Sequence, residues 1–142
     1  MRTVRQLLEA KPPEVVAIAP DVPVIEAIKL MATHGIGALL VMDGPELVGI
    51  LSERDYARKV VLEGRSSRET AVREIMTAQV QTVSPQDGCP HCMGLMTDKR
   101  VRHLPVVEGG RVVGIVSIGD LVKAVIADQQ AELEHLQRYI HS

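Results

Sequence analysis

Gly49-Ile50-Leu51-Ser52-Glu53-Arg54-Asp55 returns 65 positions later as Gly114-Ile115-Val116-Ser117-Ile118-Gly119-Asp120, with the glycine, the serine and the aspartate in the same places. Extended both ways without a gap, the overlay lays residues 15–61 on 80–126. Thirteen of its 47 pairs are identical, against about three expected from average residue usage. A spacing kept through strands, helices and turns means that both copies fold alike. Any site in one copy then has an equivalent in the other about a pseudo-twofold axis.

Working outward from that stretch, each copy reads β-α-β-β-α. A short strand at 15–19 stops at Pro20, and Val24, Ala27, Ile28 and Met31 then recur at i, i+3, i+4 and i+7, the period of a helix with one buried face. Two β-rich runs, 38–42 and 47–51, flank the turn signal Asp43-Gly44-Pro45, and a second helix is expected after Ser52. The second copy predicts strands near Val80, Leu104 and Val112, a turn at Gly109-Gly110, and helices near Asp87 and after Ser117. Ahead of each copy stands one apolar helical turn, Val4, Leu7 and Leu8 or Val72, Ile75 and Met76. Its offset is 68, so the first linker is three residues longer, around Lys11 to Glu14. The polar stretch Gly64 to Thr70 joins the halves. These boundaries place a first unit, with its N-terminal segment and linker, at 1–68 and a second, with an extended C-terminal helix, at 69–142. That last helix runs from about Ile118 towards Tyr139, with Leu121, Val125, Leu133, Leu136 and Ile140 as an apolar stripe. Its reach past the repeat suggests packing against a partner subunit.

Composition narrows the function classes. With 46% hydrophobic and 24% charged residues the 142-residue chain has the make-up of a folded domain. It holds two Tyr, no Phe and no Trp, so the core is aliphatic and a planar ligand would lie on aliphatic or Met surfaces. Stacking platforms for single-stranded nucleic acid are missing, and a net charge of −2 offers no footprint for a phosphate backbone. No apolar run approaches a membrane span and no signal-peptide core opens the chain, which makes a cytoplasmic protein with no membrane or nucleic-acid partner the expectation.

The repeated Gly-apolar-apolar-Ser-x-x-Asp supports two readings. A glycine inside a strand lets something approach the backbone, and an aspartate one turn into a helix has a carboxylate suited to two neighbouring hydroxyls, as on a ribose. The helix N-terminal amides beside it favour an anion such as a phosphate. The same Ser-x-x-Asp is also a capping box, whose side chains serve only their own helix.

Together with Arg102-His103-Leu104-Pro105-Val106-Val107, the tandem units resemble a cystathionine β-synthase (CBS) domain pair, or Bateman module, over nearly the whole chain. Ser52 to Tyr56, Gly64 to Ser67 and Met96 to Val106 resemble stand-alone CBS-pair proteins more narrowly. The resemblance implies an α/β (α+β) fold of two packed β-α-β-β-α units with pseudo-twofold symmetry. It implies a non-catalytic regulatory role in energy or redox sensing, with no obligatory cofactor and no metal. The ligand would be AMP, ATP, NAD(H) or S-adenosylmethionine, held in clefts between the units. Carried over by position, Asp55 and Asp120 hold ribose hydroxyls, Ser52 and Ser117 contact ribose or phosphate, and Arg54, Arg102 and His103 are phosphate candidates. Backbone around Ala17, Gly37 and Ala38, and around Thr82, His103 and Leu104, borders the base, with Met76 and Leu8 as apolar covers. A homodimer and a regulated partner protein are implied as well. The copies differ where Arg54 faces Gly119, Gly37 faces Arg102 and Ala38 faces His103, so the two sites need not be equal. Arg54 also reads as a solvated helix charge.

Cys89-Pro90-His91-Cys92 opens the alternative of a thiol redox protein. Register weakens it, because Cys89 overlays Val24 and Cys92 overlays Ala27, which puts both sulfurs on the apolar stripe as small buried hydrophobes. A third reading is a passive dimerisation module with collapsed clefts.

Overall fold

The computed structural model describes residues 2–12 and 15–141. Pro13 and Glu14, in the longer first linker, lie outside the described residues.

The architecture is mixed α/β. In chain order the elements are α1 (Val4–Glu9), β1 (Ala17–Ile18), α2 (Val24–His34), β2 (Ala38–Asp43), β3 (Glu46–Ser52) and α3 (Glu53–Tyr56), which continues into a π-helical turn at Ala57–Val61. They are followed by α4 (Val72–Ile75), α5 (Cys89–Lys99), β4 (His103–Glu108), β5 (Arg111–Ser117) and α6 (Ile118–His141). β1, β2 and β3 form one sheet and β4 with β5 a second. β1 runs parallel to β2, pairing Ala17 with Leu40 and Ile18 with Val41, and β2 is antiparallel to β3. In the second copy the strand expected near Val80 shrinks to a single parallel bridge of Val83 to Val106, each residue 65 on from Ile18 and Val41. One bridge suffices there because Val83 still donates to Pro105 O and accepts from Val107 N, at 3.0 and 2.9 Å.

The chain divides into two compact units. One comprises Glu14–Gln81 with Gly109–Val112, the other Met1–Pro13, Thr82–Glu108 and Val113–Ser142. The repeat boundary read along the sequence is one cut of the chain, and packing makes another. Helix α1, first in sequence, completes the core of the second repeat: Val4 and Leu7 are buried with Val83, Cys92, Leu104 and Val116, and Val4 N donates to Asp87 O at 2.8 Å. Helix α4 completes the first repeat, where Val72 and Ile75 join Val24, Leu39, Val41 and Leu51, and Val72 N donates to Val22 O at 2.9 Å.

The strand glycines are explained by these same segments. A Cβ added at Gly49 would lie 2.5 Å from Met76 Sδ and 3.1 Å from the Thr77 carbonyl oxygen, and one at Gly114 would lie 2.6 Å from Leu8 Cδ2. What approaches the backbone at Gly49 is the side chain at the end of α4, and at Gly114 a side chain of α1. Met76 and Leu8, expected as apolar covers, pack against these glycines. The two main helices show a further asymmetry: α2 ends at Gly35 with φ 63°, whereas α5 ends in the same left-handed conformation at Arg100, φ 55°. Arg100 occupies a conformation that a side chain makes costly by about 1 kcal/mol.

The expected single stripe on α6 splits in two. Leu121 and Ala124 are buried in their own unit, but Val122, Ile126, Leu133, Leu136 and Ile140 are exposed.

Candidate functional site

In both units the chain turns from strand to helix at the repeated serine, and a matched set of main-chain bonds fixes that turn. Glu53 N donates to Gly37 O at 3.0 Å, and 65 residues on, Ile118 N donates to Arg102 O at 2.8 Å. Ala38 pairs with Ser52 across β2 and β3. Each unit thus gathers its own predicted residues. Gly37, Ala38, Ser52, Arg54 and Asp55 meet in one, with Ala17 on the neighbouring strand. Arg102, His103, Leu104, Ser117 and Asp120 meet in the other, with Thr82 preceding the Val83 bridge. Arg54, Thr82 and Arg102 are exposed and His103 is half-buried. Ala38 and Leu104 are buried, so what they can offer a ligand is backbone.

The aspartates close capping boxes in both units. Asp55 N donates to Ser52 Oγ at 3.2 Å, and Asp55 Oδ2 accepts from Ser52 N and from Ser52 Oγ, both at 3.0 Å. Asp120 N donates to Ser117 Oγ at 3.2 Å, and Asp120 Oδ2 accepts from Ser117 N at 2.9 Å. With the bonds to Gly37 O and Arg102 O, three of the four N-terminal amides at each helix start are thereby used within the chain, which lowers the anion-binding capacity expected of these termini.

Each carboxylate also carries a lysine. Lys11 Nζ donates to Asp120 Oδ2 at 2.8 Å and to Ile115 O at 3.0 Å. Lys59 Nζ lies 3.3 Å from Asp55 Oδ1 and donates to Ile75 O at 3.0 Å, and Thr77 Oγ1 donates to Asp55 Oδ1 at 3.5 Å. Burial alone would raise the Asp120 carboxyl, but the Lys11 ammonium and the Ser117 amide outweigh it and hold the group below the ordinary carboxylate value. Sequence reasoning missed all three partners. Lys59, four residues after Asp55 on the same helix, was detectable from i,i+4 spacing; Lys11 and Thr77 come from separate segments and left no local signal.

The cysteines lie as register predicts. Cys89 and Cys92 are free, buried thiols facing the core. Burial pushes both upward, Cys92 to about 11, so neither has the thiolate character of a reactive dithiol. His91 is exposed on the other side of the helix, and among the described residues no cluster of His, Cys, Asp and Glu could hold a metal ion. No helix among them is long and apolar enough to cross a membrane.

With this geometry in hand, similarity to known proteins is specific. The sequence profile of the CBS domain matches residues 4–62 and again 72–127. The chain is 45% identical over 125 residues to the mitochondrial CBS domain-containing protein CBSX3 of Arabidopsis thaliana; the match covers 84% of this chain and 61% of that protein. A protein with CBS domains from Burkholderia ambifaria MC40-6, whose structure is solved, is 57% identical and superposes with a TM-score of 0.87 over 89% of this chain and 96% of that one. The CBS domain pair of protein MJ0100, solved with 5′-methylthioadenosine and S-adenosyl-L-methionine, is 29% identical with a TM-score of 0.77, over 90% of this chain and 98% of that one. The duplicated strand-to-helix turn, its paired aspartates and the two profile matches agree: the chain belongs to the CBS domain family and carries two copies of the domain.

Proposed function

We propose that this chain is a non-catalytic regulatory CBS pair that binds an adenosyl ligand, with AMP, ATP, NAD(H) and S-adenosylmethionine as the ligands to test. CBS pairs generally bind adenosyl ligands for regulation. The observation that carries the reading here is the Ser-x-x-Asp turn built twice, with Asp120 using only Oδ2 in its cap and ion pair. Capping and diol recognition are therefore compatible, because one carboxylate oxygen stays available for hydroxyls. Arg54, Arg102 and His103, beside the two helix starts, are proposed to meet phosphate, Ser52 and Ser117 the ribose or phosphate, and the backbone at Ala17, Gly37, Ala38, Thr82, His103 and Leu104 the base.

The proposed output is a change of affinity for a partner protein, in energy or redox sensing, in a cytoplasmic setting. The proposed assembly is a homodimer. The exposed residues Val122, Ile126, Leu133, Leu136 and Ile140 recur at alternating steps of four, seven, three and four. With Gln129 they complete an a/d seam, which pairs most simply with the same seam on a second copy. Buried, high-pKa cysteines make the thiol redox alternative the weaker one, and a passive dimerisation module remains the competing reading that ligand binding decides. Isothermal titration of the full chain with the four ligands tests the proposal: heat and saturation with at least one are expected, and no binding by folded protein to any would overturn it.

A further inference from the structure

On that reading, we infer that the two repeats do not bind alike: Asp120 takes a vicinal diol in the chain as it stands, while Asp55 is held shut by Lys59 and Thr77. An ionised carboxylate has about four acceptor positions, two on each oxygen. At Asp55 both oxygens carry partners. Oδ2 accepts from Ser52 N and Ser52 Oγ, and Oδ1 receives Lys59 Nζ at 3.3 Å and Thr77 Oγ1 at 3.5 Å. At Asp120 the hydrogen bonds from Ser117 N and Lys11 Nζ fall on Oδ2, the Ser117 hydroxyl adds a further interaction with the carboxylate, and no hydrogen bond to Oδ1 is seen among the described residues. Two hydroxyl donors thus meet an oxygen with no hydrogen bond among the described residues at Asp120, whereas at Asp55 they would have to displace Lys59 or Thr77.

The difference originates in the helical turn that precedes each repeat. In one unit that turn is followed by Thr77, which reaches the near oxygen, and the later helix supplies Lys59. In the other the turn is followed by Lys11, tethered to Ile115 O so that its ammonium stays on the capping oxygen. Position 59 of the first copy overlays Ala124 in the second, and among the described residues the ion pair of Asp120 is with Lys11 and not with Lys123, three residues along its own helix. Exposure runs the same way, at 22% for the Asp120 side chain and 14% for that of Asp55. Lys11 acts as a positioning residue: it neutralises Asp120 without occupying the oxygen that a ribose needs.

The experiment is calorimetry on the full chain with AMP, ATP, NAD and S-adenosylmethionine, the tightest of the four then being carried into variants. The parent is expected to bind about one ligand per chain. D120N should weaken that event by at least about tenfold, the loss of one hydrogen bond to a charged group, with its fold checked by circular dichroism. K59M/T77V, which unloads Asp55 Oδ1, should raise the stoichiometry towards two. Two equal sites in the parent, binding by D120N at parental affinity, or an unchanged stoichiometry in K59M/T77V overturns the inference while leaving ligand binding intact. No binding with any of the four overturns the ligand reading and this inference with it.

Discussion

At the scale of single residues, the strand glycines make room for packed side chains and the repeated aspartates cap their helices. Gly114→Ala should destabilise the protein by about 1–3 kcal/mol, because its methyl group would meet Leu8 inside a filled core. Adding Leu8→Ala should return part of that loss in a thermal melt. At Gly49 the obstacle includes the Thr77 carbonyl oxygen, so Met76→Ala should rescue Gly49→Ala less well. Asp120 sets a pH dependence whose sign follows from its lowered pKa. Its folded-state value lies below the unfolded 3.8, so its stabilisation is fully present well above pH 4 and is lost as the pH falls through the folded value. Melting curves between pH 5 and 2 should therefore steepen less in Asp120→Asn, which has no proton to take up there; equal slopes would show that the pair with Lys11 contributes nothing. The same residues mark what sequence can convey. The duplicated Ser-x-x-Asp was plain, and so was its double meaning as cap and as diol acceptor. The Asp120 carboxylate is met by Lys11, 109 residues away, and no local pattern reports a contact across that separation.

Among the elements, hydrophobic period located α2, α5, both hairpins and α6, because each buries one face against a core that local spacing describes. The short β1 and the lone Val83 bridge were harder to place: strands of one or two residues carry too few side chains to alternate, and their pairing partners lie more than twenty residues away. Helix α5 also holds a testable weakness. Gly94 lies mid-helix and exposed, with nothing within 4 Å of where a Cβ would stand. Gly94→Ala should stabilise the protein by about 0.5–1 kcal/mol through lower backbone entropy in the unfolded chain, seen as a raised denaturation midpoint with an unchanged slope.

For the whole molecule, assembly depends on the part of α6 that outruns the repeat. If the exposed seam joins two copies, Leu133→Glu with Leu136→Glu should convert a dimer to a monomer in sedimentation velocity. The fold of each unit should be unaffected, since neither residue belongs to a core cluster. A parent that sediments as a monomer at every concentration would remove the homodimer from the proposal. The partition of the chain has a consequence for synthesis. A growing polypeptide leaving the ribosome has everything the first repeat's core needs once α4 has emerged, whereas α1, made before it, must wait for the strands and helix of the second repeat before Val4 and Leu7 find cover. Helix α1 thus acts as a late clasp. Deleting it should spare the early-folding half and loosen the half translated last.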